Sequence, residues 1–117
     1  MTIFLQDLSF ELPGGAAASA ALKPLRTTLD ARITRAADGT VRLQAKARAI
    51  SADHLDVFIA EVTYAGLFES DLPDDEAAQL MVPFVMAELG VLTHKSGLGA
   101  LSLPWPWLPR QAVVPPA

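Results

Sequence analysis

Residues 25–49 decide the fold of the chain, and they read LRTTLDARITRAADGTVRLQAKARA. Apolar or small residues alternate with polar residues from Leu25 to Ile33, and again from Val41 to Ala49. Alternation with a period of two is typical of a half-buried strand, and Asp38-Gly39 between the two runs suits a tight turn because both residues tolerate positive φ angles. The stretch therefore predicts a hairpin with one charged, wet side. The small alanines on its other side indicate that something packs there closely.

Two further strands are predicted on either side of this hairpin. The run from Ile3 to Leu12 alternates, with Asp7, Ser9 and Glu11 on its polar side. Its apolar side is expected to carry Phe4, Leu8 and Phe10. The run from Asp56 to Phe68 is rich in Val, Ile, Phe and Tyr, and Gly66 within it predicts a bulge or bend.

A long helix is predicted to follow the fourth strand. Pro73 suits the first helical turn, and Lys95 falls near the end of the pattern, where a cation favours the helix dipole. Pro83 lies inside the pattern and is expected to kink the helix because it removes a backbone donor. The apolar stripe, at three- and four-residue spacing, consists of Ala77, Leu80, Met81, Phe84, Val85, Leu89 and Leu92.

The C-terminal stretch from Leu98 to Leu108 is apolar but contains two prolines, so an extended segment is expected there. It would present Trp105 and Trp107 either to the chain's own core or as the wall of a binding groove or an intersubunit contact. The whole chain, residues 1–117, is predicted to be a single domain in which residues 109–117 form a frayed tail. Residues 16–21 are expected to be a loop or a weak helix.

Composition limits the possible functions. Of the 117 residues 51% are hydrophobic, and the mean hydropathy is +0.32, so part of the apolar surface is expected to meet another chain. The net charge of −4 argues against a nucleic-acid partner, and a bilayer span and a signal peptide are not expected. With no cysteine, disulfide scaffolds and thiolate sites are excluded. The expectation is a cytoplasmic protein without membrane insertion.

The charges are segregated along the chain. Seven of the nine basic residues lie between Lys23 and Arg48, and eight of the thirteen acidic residues lie between Asp53 and Glu76. One face of the protein could thus be basic and another acidic, which would steer charged partners, although ordinary solvated surface explains the pattern equally well.

No catalytic, metal or cofactor site is predicted. Residues 53–56, Asp-His-Leu-Asp, lack the spacing of zinc or calcium loops and are interpreted as a polar connection before a strand. Residues 74–76 are three consecutive acids that fit a helix start, and no serine or glycine pattern matches a nucleophile elbow or a phosphate loop. A non-enzymatic protein is therefore expected.

Several stretches taken together resemble the SecB protein-export chaperone family. Residues 3–11, IFLQDLSFE, are similar to the family's first strand with its K-D-I-S-F-E core. Residues 58–68, FIAEVTYAGLF, are similar to its F-L-C-E-V-x-x-x-G-I-F strand, residues 82–84 to its F-P-Y, and residues 101–104 to its L-N-L-A-P segment. The order and spacing fit most of residues 3–104.

This resemblance implies an α+β fold, a four-stranded antiparallel sheet with helices on one face, assembled as a dimer of dimers. It also implies an ATP-independent holdase that keeps precursor proteins unfolded in the cytosol and passes them to the motor ATPase SecA. The positions matching the family's contacts with SecA are Asp7, Glu11, Ile59 and Glu61. Unfolded clients would bind in apolar grooves lined by Phe58, Leu98, Leu101, Leu103, Trp105 and Trp107.

The chain also departs from the family pattern. The stretch between Phe68 and Pro83 is shorter, and a Pro-Trp-Pro-Trp tail stands where the family has its final helix. These differences leave open whether two or four chains assemble, and they allow a SecB-like chaperone dedicated to another client such as a toxin–antitoxin partner. Two alternatives of other classes are a structural subunit whose apolar surface is consumed by self-association, and a small α+β enzyme or ligand carrier with a pocket between sheet and helix.

Overall fold

Four strands and one helix are formed by the residues that the computed structural model describes, which are 1–13, 25–51, 56–69 and 71–95. The elements are β1 (Thr2–Glu11), β2 (Arg26–Arg35), β3 (Val41–Ile50), β4 (Asp56–Leu67) and α1 (Asp74–Lys95). The strands form one sheet in the order β1-β4-β3-β2, and all three pairings are antiparallel. The predicted α+β class, a four-stranded antiparallel sheet with one long helix on one face, is confirmed. The predictions for residues 16–21 and for Leu98–Leu108 lie outside the described residues.

The hairpin of β2 and β3 forms with the predicted turn. Pairing is continuous from Arg26 opposite Ile50 to Arg35 opposite Val41. In the turn, Gly39 has a φ of 90°, which is the left-handed region that glycine adopts without steric cost. The Thr40 amide donates to Asp38 Oδ1 at 2.9 Å. The hydrogen bonds from Thr40 stabilise the ionised form and lower the pKa of the Asp38 carboxyl.

Helix α1 packs across β4, β3 and β2. The sheet side of the core contains Val41 and Leu43, followed by three alanines of β3, all fully buried. Because alanine side chains are short, the helix can lie close to the middle of the sheet. The helix buries Ala77, Ala78, Met81, Val82, Val85, Leu89, Leu92 and Thr93, and it continues through Pro83.

The predicted helical stripe is wider than the surface that the sheet covers. Leu80 and Phe84 belong to the stripe, yet each is 43% exposed, while Ala78 and Val82 are buried instead. These two large side chains lie one turn apart on the flank of α1, beyond the edge of the core. The prediction that they lie in the core is therefore wrong, because α1 faces the sheet through Met81, Val85 and Leu89.

By length and composition α1 could cross a membrane, since an 18-residue window of it has a mean hydropathy of 1.3. In the structure 44% of that window is buried. The buried side packs on the sheet, which is the arrangement of a core helix. The fold thus accounts for the buried side of α1, while Leu80, Phe84, Met86 and Val91 stay exposed.

The first strand contains a bulge that the sequence did not reveal. The register between β1 and β4 shifts between Leu5 and Asp7, so that Gln6 is the extra residue. Phe4 pairs with Ala65 and Leu5 pairs with Tyr64. Since Tyr64 faces the helix, Leu5 lies on the helix side and Phe4 on the opposite, open side of the sheet. The prediction that Phe4 shares the buried side with Leu8 and Phe10 is therefore wrong.

Gly66 is part of a regular ladder, so the bulge or bend predicted there is also wrong. It pairs with Ile3 on one side and with Val41 on the other, without a register shift. A Cβ atom at this position would lie 2.7 Å from Cε2 of Phe68. The glycine is thus explained by the aromatic ring that lies over it rather than by the backbone geometry of β4.

Candidate functional site

Strand β1 lies at the edge of the sheet, beyond the part that α1 covers. On the helix side of this strand, Leu5 is 40% and Leu8 is 41% exposed. On the flank of α1, Leu80 and Phe84 are each 43% exposed, and the ring of Phe84 packs against Tyr64, the residue that pairs with Leu5. Soluble proteins rarely leave adjacent large apolar side chains exposed without a use. We call these four residues, together with Tyr64 between them, the apolar patch.

Tyr64 connects the two halves of the apolar patch. Its backbone pairs with Leu5, and its ring lies 5.9 Å from the ring of Phe84 between centroids. Its hydroxyl donates to Glu88 Oε1 at 3.1 Å. Burial raises the pKa of the Tyr64 phenol. The Glu88 carboxylate raises it further, both by accepting a hydrogen bond from the phenol hydroxyl and by its negative charge. The ring is therefore held in one orientation at the floor of the patch.

The residues predicted to bind clients have different positions. Phe58 is fully buried, in an edge-to-face contact with Phe10 at 5.6 Å between ring centroids. Its ring belongs to the core beneath the sheet surface, so it does not line an exposed groove. The other predicted residues, Leu98, Leu101, Leu103, Trp105 and Trp107, lie outside the described residues.

The residues of the apolar patch were not identified as a site from the sequence. Leu5 was missed because residues 3–5 are all apolar, so alternation alone does not fix which side each one faces. Leu80 and Phe84 were expected to be core residues. A signal did exist for these two: a stripe that extends beyond the width of one contact face implies that its margin is exposed.

The four positions assigned to the SecA contact lie together on the open face of the sheet. Glu11 pairs with Ile59 across β1 and β4, while Glu61 pairs with Ser9 and Asp7 with Thr63. Directly paired residues point to the same side of a sheet, so Asp7, Glu11, Ile59 and Glu61 share one surface. We call these four residues the acidic patch.

The charges of the acidic patch are partly compensated within the chain. The Glu61 carboxylate lies 3.6 Å from the ammonium group of Lys46, and both side chains are more than 40% exposed. Such an exposed pair contributes little to stability and leaves Glu61 accessible to a partner. The carboxylate of Asp7 accepts from the amide of Leu8 at 2.9 Å. The patch is therefore a solvated surface with fixed strand geometry.

No metal centre is formed by the part of the chain that the structure describes. There, no three histidine or carboxylate side chains come together in a way that could hold an ion. The acids of residues 74–76 occupy the first turn of α1, as expected from the helix dipole.

Comparison with known proteins identifies the architecture. No protein-family model and no curated protein sequence matches the chain. Among solved structures, the chain is similar to the Rv1957 SecB-like chaperone of Mycobacterium tuberculosis, in complex with a ChAD peptide from the Rv1956 HigA1 antitoxin. The TM-score is 0.59 at 14% sequence identity, and the match covers 93% of this chain and 90% of that chain. The chain thus has the SecB-like fold, as the resemblance of its motifs implied.

Proposed function

We propose that this protein is an ATP-independent chaperone that binds unfolded apolar segments at the apolar patch. The observation that carries the proposal is the exposure of Leu5, Leu8, Leu80 and Phe84, each about 40%, around one ordered aromatic ring on a SecB-like fold. A small acidic protein has no structural reason to leave these side chains in water. A client segment that covers them would remove apolar surface at about 25 cal/mol per Å² before ordering costs.

The edge position of β1 supplies a second source of affinity. Its outer edge has no strand partner among the described residues, and it runs next to the apolar patch. An extended client could add a strand there, because main-chain hydrogen bonds do not depend on the client's side chains. Apolar burial and main-chain pairing together favour low sequence specificity, as a holdase requires.

The chaperone proposal has two versions, which differ in the client. In the first, the protein holds precursor proteins in the cytoplasm, assembles as a dimer or a dimer of dimers, and delivers its clients to SecA through the acidic patch. In the second, it serves one dedicated client such as a toxin–antitoxin partner. The second is favoured by the structural neighbour, a SecB-like chaperone in complex with an antitoxin peptide.

The test is the aggregation of a chemically unfolded apolar protein after dilution, with and without this protein, in the absence of ATP. Suppression near one oligomer per client is expected, with the oligomer mass measured by light scattering. A variant carrying Trp105→Ala and Trp107→Ala measures whether the tail contributes to client affinity. A well-formed oligomer without any suppression would overturn the holdase proposal and favour a structural subunit whose apolar patch is consumed by self-association.

Delivery to SecA is tested separately, by measuring SecA binding of the client-free protein. Substituting Asp7→Ala and Glu61→Ala should weaken that binding while aggregation suppression is unchanged. If SecA does not bind the unaltered protein although suppression is strong, the dedicated-client version is the better one.

A further inference from the structure

The open face of the sheet, opposite α1, contains a concavity of about 410 Å³. Side chains from all four strands line it, including Arg32 of β2, Arg42 of β3, Thr63 of β4 and Gln6 of β1. It lies beside the acidic patch and shares Asp7 with it. The apolar patch, by contrast, is on the helix side of the sheet.

Arg42 is held in a defined orientation within this concavity. Its Nε atom donates to Oε1 of Gln6 at 2.8 Å. Gln6 is the extra residue of the β1 bulge, so the bulge supplies the group that orients the guanidinium. Because Nε is used, the two terminal nitrogens of Arg42 remain available for a ligand.

Arg32 is the second cation of the concavity. Its backbone pairs with Gln44, two residues along β3 from Arg42, so the two arginines are diagonal neighbours on the same side of the sheet. Arg32 makes no side-chain hydrogen bond or ion pair with any other described residue.

Two further cations on the same face lie in ion pairs. Arg48 is paired with Asp56 at 2.6 Å, and Lys46 with Glu61 at 3.6 Å. The two arginines of the concavity are neighbouring like charges, and neither forms an ion pair with a described carboxylate. Two carboxylates lie near them: Asp7 also lines the concavity, and, after the hydrogen bonds from Thr40, the charge of Arg42 contributes to the lowered pKa of Asp38. An anion placed between their guanidinium groups would relieve that repulsion.

We propose that this concavity binds a carboxylate side chain of an acidic peptide segment. Two guanidinium groups provide planar, paired donors that match a carboxylate. The hydroxyl groups of Thr34 and Thr63 and the amide of Gln44 also line the site and add neutral donors. The volume suits one or two acidic side chains rather than a folded surface.

The neighbouring acids decide against a nucleic-acid ligand. Asp7 lines the concavity, and Glu61 and Glu11 lie on the strands beside it. A polyphosphate backbone crossing this face would meet these carboxylates, and the chain as a whole carries a net charge of −4. A peptide can place one glutamate between the arginines and neutral or basic residues next to the acidic patch.

The experiment measures the fluorescence anisotropy of a labelled peptide that carries one Glu among Gly and Ser residues and has no apolar side chain. Arg32→Ala and Arg42→Ala are each expected to weaken binding about threefold to tenfold. Lys46→Ala is the matched control, because it removes one positive charge from the same face outside the concavity. It should weaken binding less than twofold, and Arg32→Lys should retain part of the affinity.

Three results would overturn the proposal: equal losses in Arg32→Ala and Lys46→Ala, equal binding of a peptide with Gln in place of Glu, or tighter binding of a single-stranded oligonucleotide. Thermal melting by circular dichroism checks the fold of each variant, and Arg32→Ala is the safest because this side chain has no described partner. Since the peptide cannot use apolar burial, Leu5→Thr should not change its affinity. Failure of the carboxylate site can thus be distinguished from failure of the holdase proposal.

Discussion

Replacement of both Leu5 and Leu8 by threonine is expected to weaken binding of an unfolded client about 15-fold. Full burial of a leucine side chain is worth about 2 kcal/mol. The exposed fractions of Leu5 and Leu8 are 40% and 41%, so covering what remains exposed contributes about 0.8 kcal/mol for each side chain. Both together give about 1.6 kcal/mol, which corresponds to the stated 15-fold change in Kd. Threonine keeps the β-branched preference for strands, so β1 should still form.

The assay is fluorescence anisotropy of a labelled, permanently unfolded polypeptide titrated with the protein. Leu67→Thr is the matched control, because Leu67 is 48% exposed in the same sheet but pairs with Thr2 on the open face. It changes the same residue type at similar exposure and should leave the client Kd within about twofold, since it is not part of the apolar patch. Light scattering of all variants checks that the oligomeric state is unchanged.

The reasoning would be refuted if the double variant bound the client as tightly as the unaltered protein, or if Leu67→Thr reduced binding to the same extent. The first result would mean that clients do not cover the helix side of β1. The second would mean that apolar exposure anywhere on the protein is enough, and that the apolar patch has no special role. A loss of oligomers with unchanged client affinity would assign the two leucines to self-association.

Three further predictions concern stability and titration. Gly66→Ala should lower the free energy of unfolding by about 1–3 kcal/mol, because the added methyl group displaces an aromatic ring. Gly90→Ala, in an exposed part of α1 with open space around it, should raise that free energy by about 0.5–1 kcal/mol in the same denaturant titrations. Changes of the same sign in both variants would contradict the packing argument. Tyr64 is the only tyrosine, so its ionisation can be followed by absorbance. Glu88→Gln should lower the pKa of Tyr64. In the unaltered protein, the stabilisation linked to the raised pKa is present below pH 10 and is lost as the pH rises through the pKa of Tyr64 in the folded state. The lowered pKa of Asp38 predicts that the ionised carboxylate stabilises the hairpin above pH 3.8, its ordinary pKa, and that this stabilisation disappears as the pH falls through the pKa of the folded state. Asp38→Asn should flatten this part of the pH–stability profile measured by circular dichroism.

Much of the fold could be predicted because local patterns and pairing agree in the centre of the sheet. Residues 25–49 have clean alternation and an Asp-Gly turn, so the hairpin follows from the sequence with its turn and its wet side. The helix was predicted over nearly its full length because Pro73, the acids after it and the terminal Lys95 mark its ends. The central elements are therefore determined by local chemistry.

The candidate site was harder to predict because it depends on tertiary placement. Whether Leu80 and Phe84 are covered depends on where α1 crosses the sheet, and the helix lies over β2, β3 and β4 rather than over β1. The same holds for Phe58, whose burial results from the strand packing around it. The types and spacing of residues indicate which side of a helix or strand is apolar, but not whether a neighbouring element reaches far enough to cover that side.

The bulge at Gln6 shows most clearly how one residue can position two surfaces. In a regular strand, residues three apart point to opposite sides, so Leu5 and Leu8 could not both lie on the helix side. The extra residue restores them to one side and so creates the β1 half of the apolar patch. Its own side chain holds Arg42 on the open side. An insertion that disturbs one strand pairing therefore supplies the edge leucines for one proposed ligand and the oriented guanidinium for another.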